Sequence, residues 1–185
     1  ARGVPMLLMG DEVGRSQGGN NNTWRQDSPL GWMVWNEDHC DLELKLFLTR
    51  LLKLRQALPQ LFNPLIPARE TTKKHPQDQT DLWRQWHGVE LSKPDWAAWS
   101  RSIATSLHMG SHGALIWMGF NAHKEALNFE LPVPASPWTR VIDTSLPSPK
   151  DLPEQPVPFR GVTIPMQSRS FVLLVAQDEV SNLRL

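Results

Sequence analysis

Any chemistry in this chain has to come from carboxylates, amides, imidazoles and indoles, because the single thiol, Cys40, has no identifiable partner and reads as inert. Asp11 and Glu12 are the adjacent carboxylates best placed at a crevice. They follow an apolar run, Val4 to Met9, and polar groups at the end of a buried strand line ligand clefts in α/β folds. They do not make a cleavage pair. Two carboxyls that break an acetal linkage must flank it, about 5–5.5 Å apart for retention or roughly 6.5–9.5 Å for inversion. Neighbours on an extended strand point to opposite faces instead. Support is the expected role of both: a hydrogen bond to a loop amide or a ligand hydroxyl.

Gly18-Gly19-Asn20-Asn21-Asn22 joins backbone freedom to side chains that both donate and accept hydrogen bonds. Sugar hydroxyls ask for that neutral, bidirectional partner, and an Asn-rich turn that only shapes a loop has the same composition. His108 and His112 stand four apart, but Gly110 and Ser111 between them indicate a hairpin turn rather than a helical metal face. No metal and no cofactor are expected. The chain has no Lys-bearing phosphate loop, no nucleophile elbow and no zinc-finger spacing.

The elements that would position these residues start with residues 3 to 12, which read as a strand apolar on both faces, the mark of a buried parallel strand. From Val13 to about Asp38 there is no periodicity, only Gly, Asn and Pro with Trp24, Trp32 and Trp35 among them. A structureless stretch of that length is usually a functional loop. Asp41 to Leu58 is a helix: Leu44, Phe47, Leu48, Leu51, Leu54 and Leu58 make one buried face, Asp38 or Asp41 caps it and Pro59 stops it. One strand, loop and helix cannot bury a two-faced strand. Residues 1–63 are therefore expected to be the last unit of a larger α/β domain, completed by an earlier part of the polypeptide or by another subunit.

Residues 64–80 read as a linker, rich in Pro and polar residues. In residues 81–185 the period becomes two, with strands expected at Trp99 to Leu107, Ala114 to Asn121, Leu127 to Leu131, Trp138 to Asp143, Gly161 to Ile164 and Arg169 to Ala176. Short strands divided by Pro, Gly and Ser indicate an antiparallel sandwich or barrel.

Composition narrows the function classes. Nineteen basic and nineteen acidic residues cancel, which argues against a nucleic-acid or anionic-membrane partner. The longest apolar runs, Val4 to Met9 and Phe171 to Ala176, have six residues each, far below the roughly 20 that cross a bilayer. One cysteine and the lack of a secretory pattern at Ala1-Arg2-Gly3 point to a reducing compartment, the cytoplasm. Nine Trp against no Tyr means bulky core filling, stacking surfaces, or both.

Gly3-Val4-Pro5-Met6-Leu7-Leu8-Met9-Gly10-Asp11-Glu12-Val13-Gly14-Arg15-Ser16, then Gly19-Asn20-Asn21-Asn22 and Asp27, closely resembles isoamylase-type glycogen debranching enzymes of the α-amylase superfamily. Gln85-Trp86-His87-Gly88, Lys93-Pro94-Asp95-Trp96 and Ser100-Arg101 are similar to the start of that family's C-terminal domain. Phe120-Asn121-Ala122 and Arg169-Ser170-Phe171-Val172-Leu173 give weaker echoes of its later strands. The resemblance implies α/β plus all-β architecture: the last β/α unit of a (β/α)8 barrel followed by an antiparallel β-sandwich domain. It also implies a retaining hydrolase of α-1,6 branch linkages, acting on a branched α-glucan such as glycogen, amylopectin or limit dextrin. The nucleophile, the acid/base and a third, stabilising carboxylate would lie on earlier strands, so no catalytic residue maps here and the N-terminal barrel portion is missing. Arg15, Asn20, Asn21, Asn22, Trp24 and Asp27 are the expected substrate contacts, with Asp11 and Glu12 supporting the rim behind them. Trp24 stands where the family usually has Tyr, which keeps a stacking face and exchanges a hydroxyl for an indole N–H. The alternative function is a non-catalytic glucan-binding or regulatory module.

Overall fold

Period-two patterning in the C-terminal two-thirds produces the main body of the molecule. The computed structural model describes residues 4–36, 40–59, 69–70, 82–109 and 113–180. Within them run a 3₁₀ turn (Asp11–Val13), helix α1 (Leu42–Ala57), β1 (Arg69–Glu70), β2 (Leu82–His87), β3 (Ser102–Met109), β4 (Ala114–Asn121), β5 (Leu127–Glu130), β6 (Trp138–Asp143), β7 (Val157–Pro158), β8 (Thr163–Met166), β9 (Ser170–Ala176) and a short helix α2 (Gln177–Val180).

Seven strands form one sheet in the order β1-β2-β3-β4-β9-β6-β7, and β5 pairs with β8 in a second, two-stranded sheet. Every pairing is antiparallel except β1 with β2. Strand alternation gives the large sheet two apolar faces. On one, Leu107, Ile116, Leu173 and Val175 pack with Leu54 of α1 and its C-cap, Leu58. On the other, Trp117, Val172 and Leu174 pack with Phe129, Ile164 and Met166 of the small sheet, in a sandwich arrangement. Trp117 meets Phe129 edge to face, with centroids 5.9 Å apart. Gly119 makes that fit possible: a Cβ there would lie 2.4 Å from the Trp117 ring and 2.6 Å from the Met166 sulfur.

Helix α1 forms as its spacing requires. Asp41 is the N-cap, its carboxylate accepting from Leu44 N at 2.9 Å. Leu54 and Leu58 are buried on the sheet, Phe47 and Leu51 partly so, and Leu44 is exposed.

The expected strand over residues 3–12 is corrected: residues 4–9 have no regular structure, and Asp11–Val13 is a 3₁₀ turn. Val4 and Met6 are 85% and 95% exposed. A strand apolar on both faces gains its stability from ladder bonds and cover on each side. No described strand pairs with this segment, so no barrel unit is formed among the described residues. The described structure is instead mostly antiparallel sheet with two helices. β2, not anticipated as a strand, joins β3 over six residue pairs from Leu82↔Met109 to His87↔Ala104. Within the expected linker, Arg69–Glu70 forms β1, parallel to β2. The rest of that segment, the expected turn at residues 110–112 with His112, and Asp38 lie outside the described residues.

Candidate functional site

Residues 10–36 form a loop held by its own backbone. Gly10 has φ +99°, and a Cβ on it would collide with the Arg15 side chain at 2.5 Å, so only glycine turns the chain here. Arg15 N then donates to Gly10 O at 2.9 Å, and Gly14 N to Asp11 O at 3.2 Å. Val13 O accepts from Asp41 N at 3.0 Å, which joins this turn to the N-terminus of α1.

The expected site residues do not form one cluster. Glu12 folds back so that its carboxylate accepts from Gly10 N at 2.8 Å, while Asp11 is exposed. The two carboxylates sit on a turn rather than a strand, which corrects the geometric reason for rejecting them as a pair. Arg15 is a brace: its guanidinium donates to the carbonyls of Gly31 and Trp32, tying the start of the loop to its end. Asn20, Asn22 and Trp24 come together. Asn20 Oδ1 accepts from Asn22 N (2.9 Å), Asn22 Oδ1 from Trp24 N (3.4 Å), and Asn20 Nδ2 donates to Gln26 Oε1 (3.2 Å).

Asn21 lies exposed between them with no side-chain hydrogen bond among the described residues. Trp24 is 75% exposed, with the Arg25 guanidinium 5.0 Å from its ring centroid. Asp27 accepts from Trp32 Nε1 at 3.0 Å. Trp32 and Gln26 are the loop members sequence reasoning missed; the signal was an acceptor and an indole five apart in a Gly-rich segment. A cavity of about 340 Å³ opens beside the brace, lined by Val13, Arg15, Ser16, Pro29, Trp32 and Val34. Cys40 Sγ donates to Asn36 O at 3.4 Å.

This loop can present neutral hydrogen-bonding groups and an indole face. It has no nucleophile paired with a base.

A second polar group lies in the large sheet. Ser92 N donates to His87 Nδ1 at 2.9 Å, so neutral His87 carries its proton on Nε2, 2.8 Å from Ser106 Oγ. The Ser106 hydroxyl in turn reaches His108 Nε2 at 2.7 Å, and Trp83 stacks on His108 with centroids 4.0 Å apart. Burial lowers both imidazoles to about 4, and the neighbouring His87 adds to the effect at His108. His108 thus belongs to a buried hydrogen-bonded chain that fixes the β2–β3 connection through Ser92.

Residues 85–168 match the family model described as Isoamylase 1-3, C-terminal. The chain is 34% identical to isoamylase 1, chloroplastic, of Arabidopsis thaliana, over 93% of its own residues and 20% of that protein. It is 29% identical to the rice isoamylase 1, chloroplastic, over 97% of this chain and 22% of the relative. It is 34% identical to a glycogen debranching enzyme of Pectobacterium atrosepticum, over 60% and 17%. The chain thus spans about a fifth of the length of the curated relatives it matches. Along nearly all of its residues the chain resembles the isoamylase-type debranching enzymes, over their C-terminal portion.

Proposed function

We propose that this chain is the C-terminal portion of a debranching glycoside hydrolase that cleaves α-1,6 branch linkages of glycogen or a related branched α-glucan. The observation that carries the reading is the loop itself: a braced segment, joined to α1 at Val13, that offers Asn20, Asn21, Asn22 and Trp24, in a chain similar to isoamylases over 93–97% of its residues. In this reading residues 1–63 are the end of the barrel, 64–80 a linker and 81–185 the sandwich domain.

The loop is then one wall of the glucan groove. Amide side chains exchange hydrogen bonds with sugar hydroxyls, and the Trp24 indole lies against a pyranose C–H face. Arg15, Glu12 and Asp27 act through the backbone or Trp32 and hold that wall in shape. The retaining pair, a nucleophile and an acid/base about 5–5.5 Å apart, belongs to earlier strands of the longer enzyme. This chain alone supplies positioning and no bond cleavage. A reducing, cytoplasmic setting fits the lone Cys40.

The test is made in the longer enzyme. Asn21→Ala and Trp24→Ala should each raise KM for a branched glucan by about tenfold, one lost hydrogen bond or stacking contact, with kcat changed less. Unchanged KM in both variants would remove this loop from the groove.

A further inference from the structure

Two of the most exposed large side chains of the β region lie three residues apart on the β2–β3 connection, outside the cleft loop. Trp96 is 65% exposed and Trp99 81%, and neither joins either core cluster. We propose that Trp96 and Trp99, backed by Trp86, form a second binding ledge for a linear α-glucan chain, separate from residues 10–36. The choice of ligand rests on the debranching reading above.

Four observations carry it. The ledge is built rather than loose: Trp86 projects from β2 and meets Trp96 edge on, centroids 5.6 Å apart at 77°, with the Arg84 guanidinium 5.5 Å from the Trp86 ring. The connection bearing it is pinned along its length. Ser92 N is held by His87, Leu91 N by Glu130 Oε2 (2.9 Å), Ala97 N by Asp95 Oδ1 (3.0 Å), and Ser100 N by Ala97 O (2.9 Å). The backbone that carries both indoles is therefore ordered before any ligand arrives, and Trp96 is held against Trp86, which lowers the ordering entropy of binding.

The surroundings are also neutral in sum. Lys93 is paired with Glu90, and Asp95 and Arg101 lie on the same connection with opposite signs. A polyanion would demand an excess of basic groups; an uncharged polymer does not. Finally, exposed indoles beside polar side chains match the two surfaces of an α-glucan chain, whose pyranose C–H faces stack while the hydroxyl edges hydrogen-bond.

Native electrophoresis of the 185-residue chain in glycogen-containing gels tests this, with glycogen-free and RNA-containing gels beside it. The chain should be retarded by glycogen alone. The double variant Trp96→Ala/Trp99→Ala should lose about tenfold in apparent affinity, the scale of a lost ring-stacking contact, and Val162→Ala, at another exposed apolar residue, should keep the retardation. Trp99→Ala alone removes only an exposed ring, so it keeps the fold and should give a partial loss. The proposal is overturned by an unretarded wild type, by a double variant that migrates like it, by full loss in Val162→Ala, by equal retardation with RNA, or by self-association in glycogen-free gels that the double variant abolishes. If the ledge fails while the longer enzyme still debranches, only the ledge is lost. Glycogen binding by a longer enzyme that leaves α-1,6 bonds intact would instead remove the debranching reading.

Discussion

Two six-residue apolar runs, Val4 to Met9 and Phe171 to Ala176, look alike in the sequence and end in opposite states. The second is β9, paired with β4 on one side and β6 on the other, and Leu174, Val175 and Ala176 are at most 1% exposed. The first pairs with nothing described, and its Val4, Met6, Leu7, Leu8 and Met9 are all exposed. Apolarity supplies the driving force for burial, but ladder partners decide whether it is realised, since an unpaired backbone cannot leave water without losing its hydrogen bonds. Part of the gap is visible: Val4 to Leu7 border an apolar groove with Leu48 and Leu51 of α1 and Met118, Phe171 and Leu173 of the sheet.

The sharpest way to break the comparison is to charge both runs. Leu174→Asp buries a carboxylate between the sheets and should lower the melting temperature by more than about 10 °C or abolish cooperative unfolding, followed by circular dichroism. Met6→Asp in the same chain should move it by less than about 2 °C, because the side chain is already in water. Equal losses in both would mean that the N-terminal run is packed in solution.

Acid provides a second probe confined to the β region. His87 and His108 have folded-state values of about 4, below the usual 6.5. The unfolded chain therefore binds more protons between those limits. Stability is full above about pH 6.5 and falls as the pH drops toward 4, by several kcal/mol for the pair. Urea midpoints at pH 7 and pH 4.5 should show that fall. In His87→Gln, whose amide oxygen can accept from Ser92 N, the fall should be smaller, and an unchanged slope would count against the buried chain as its source.

The smallest effect is at the junction of the two regions. Asp41→Ala removes the cap at Leu44 N and should reduce stability by about 1 kcal/mol, measured by urea denaturation. No change would mean that α1 starts elsewhere in solution.

Strands β4 and β9 were legible as continuous apolar runs because both their faces are covered, α1 because its 3-and-4 spacing brings Leu54 onto the sheet, and Trp138–Asp143 forms where it was expected. β2 escaped because Trp83, Arg84, Gln85 and Trp86 are all half-buried and show no clean alternation. β1 is two residues long and parallel, with no local pattern to find. The N-terminal strand was misread for a different reason. Its residues carry the signal of a buried strand, and the partners that would realise it are not among the described residues. At the candidate site, composition marked the loop, while the turn at Gly10 fell inside the expected strand and was not anticipated. The Arg15 brace to Gly31 and Trp32 spans sixteen and seventeen residues, which no local pattern encodes.

The proposed function divides the labour, with a groove wall in this chain and the cleaving carboxyls on earlier strands of a longer enzyme. Reducing ends released from amylopectin measure it directly. The purified 185-residue chain should release none above background, and the longer enzyme containing it should release linear α-glucan chains. Debranching by the 185-residue chain alone would contradict the account.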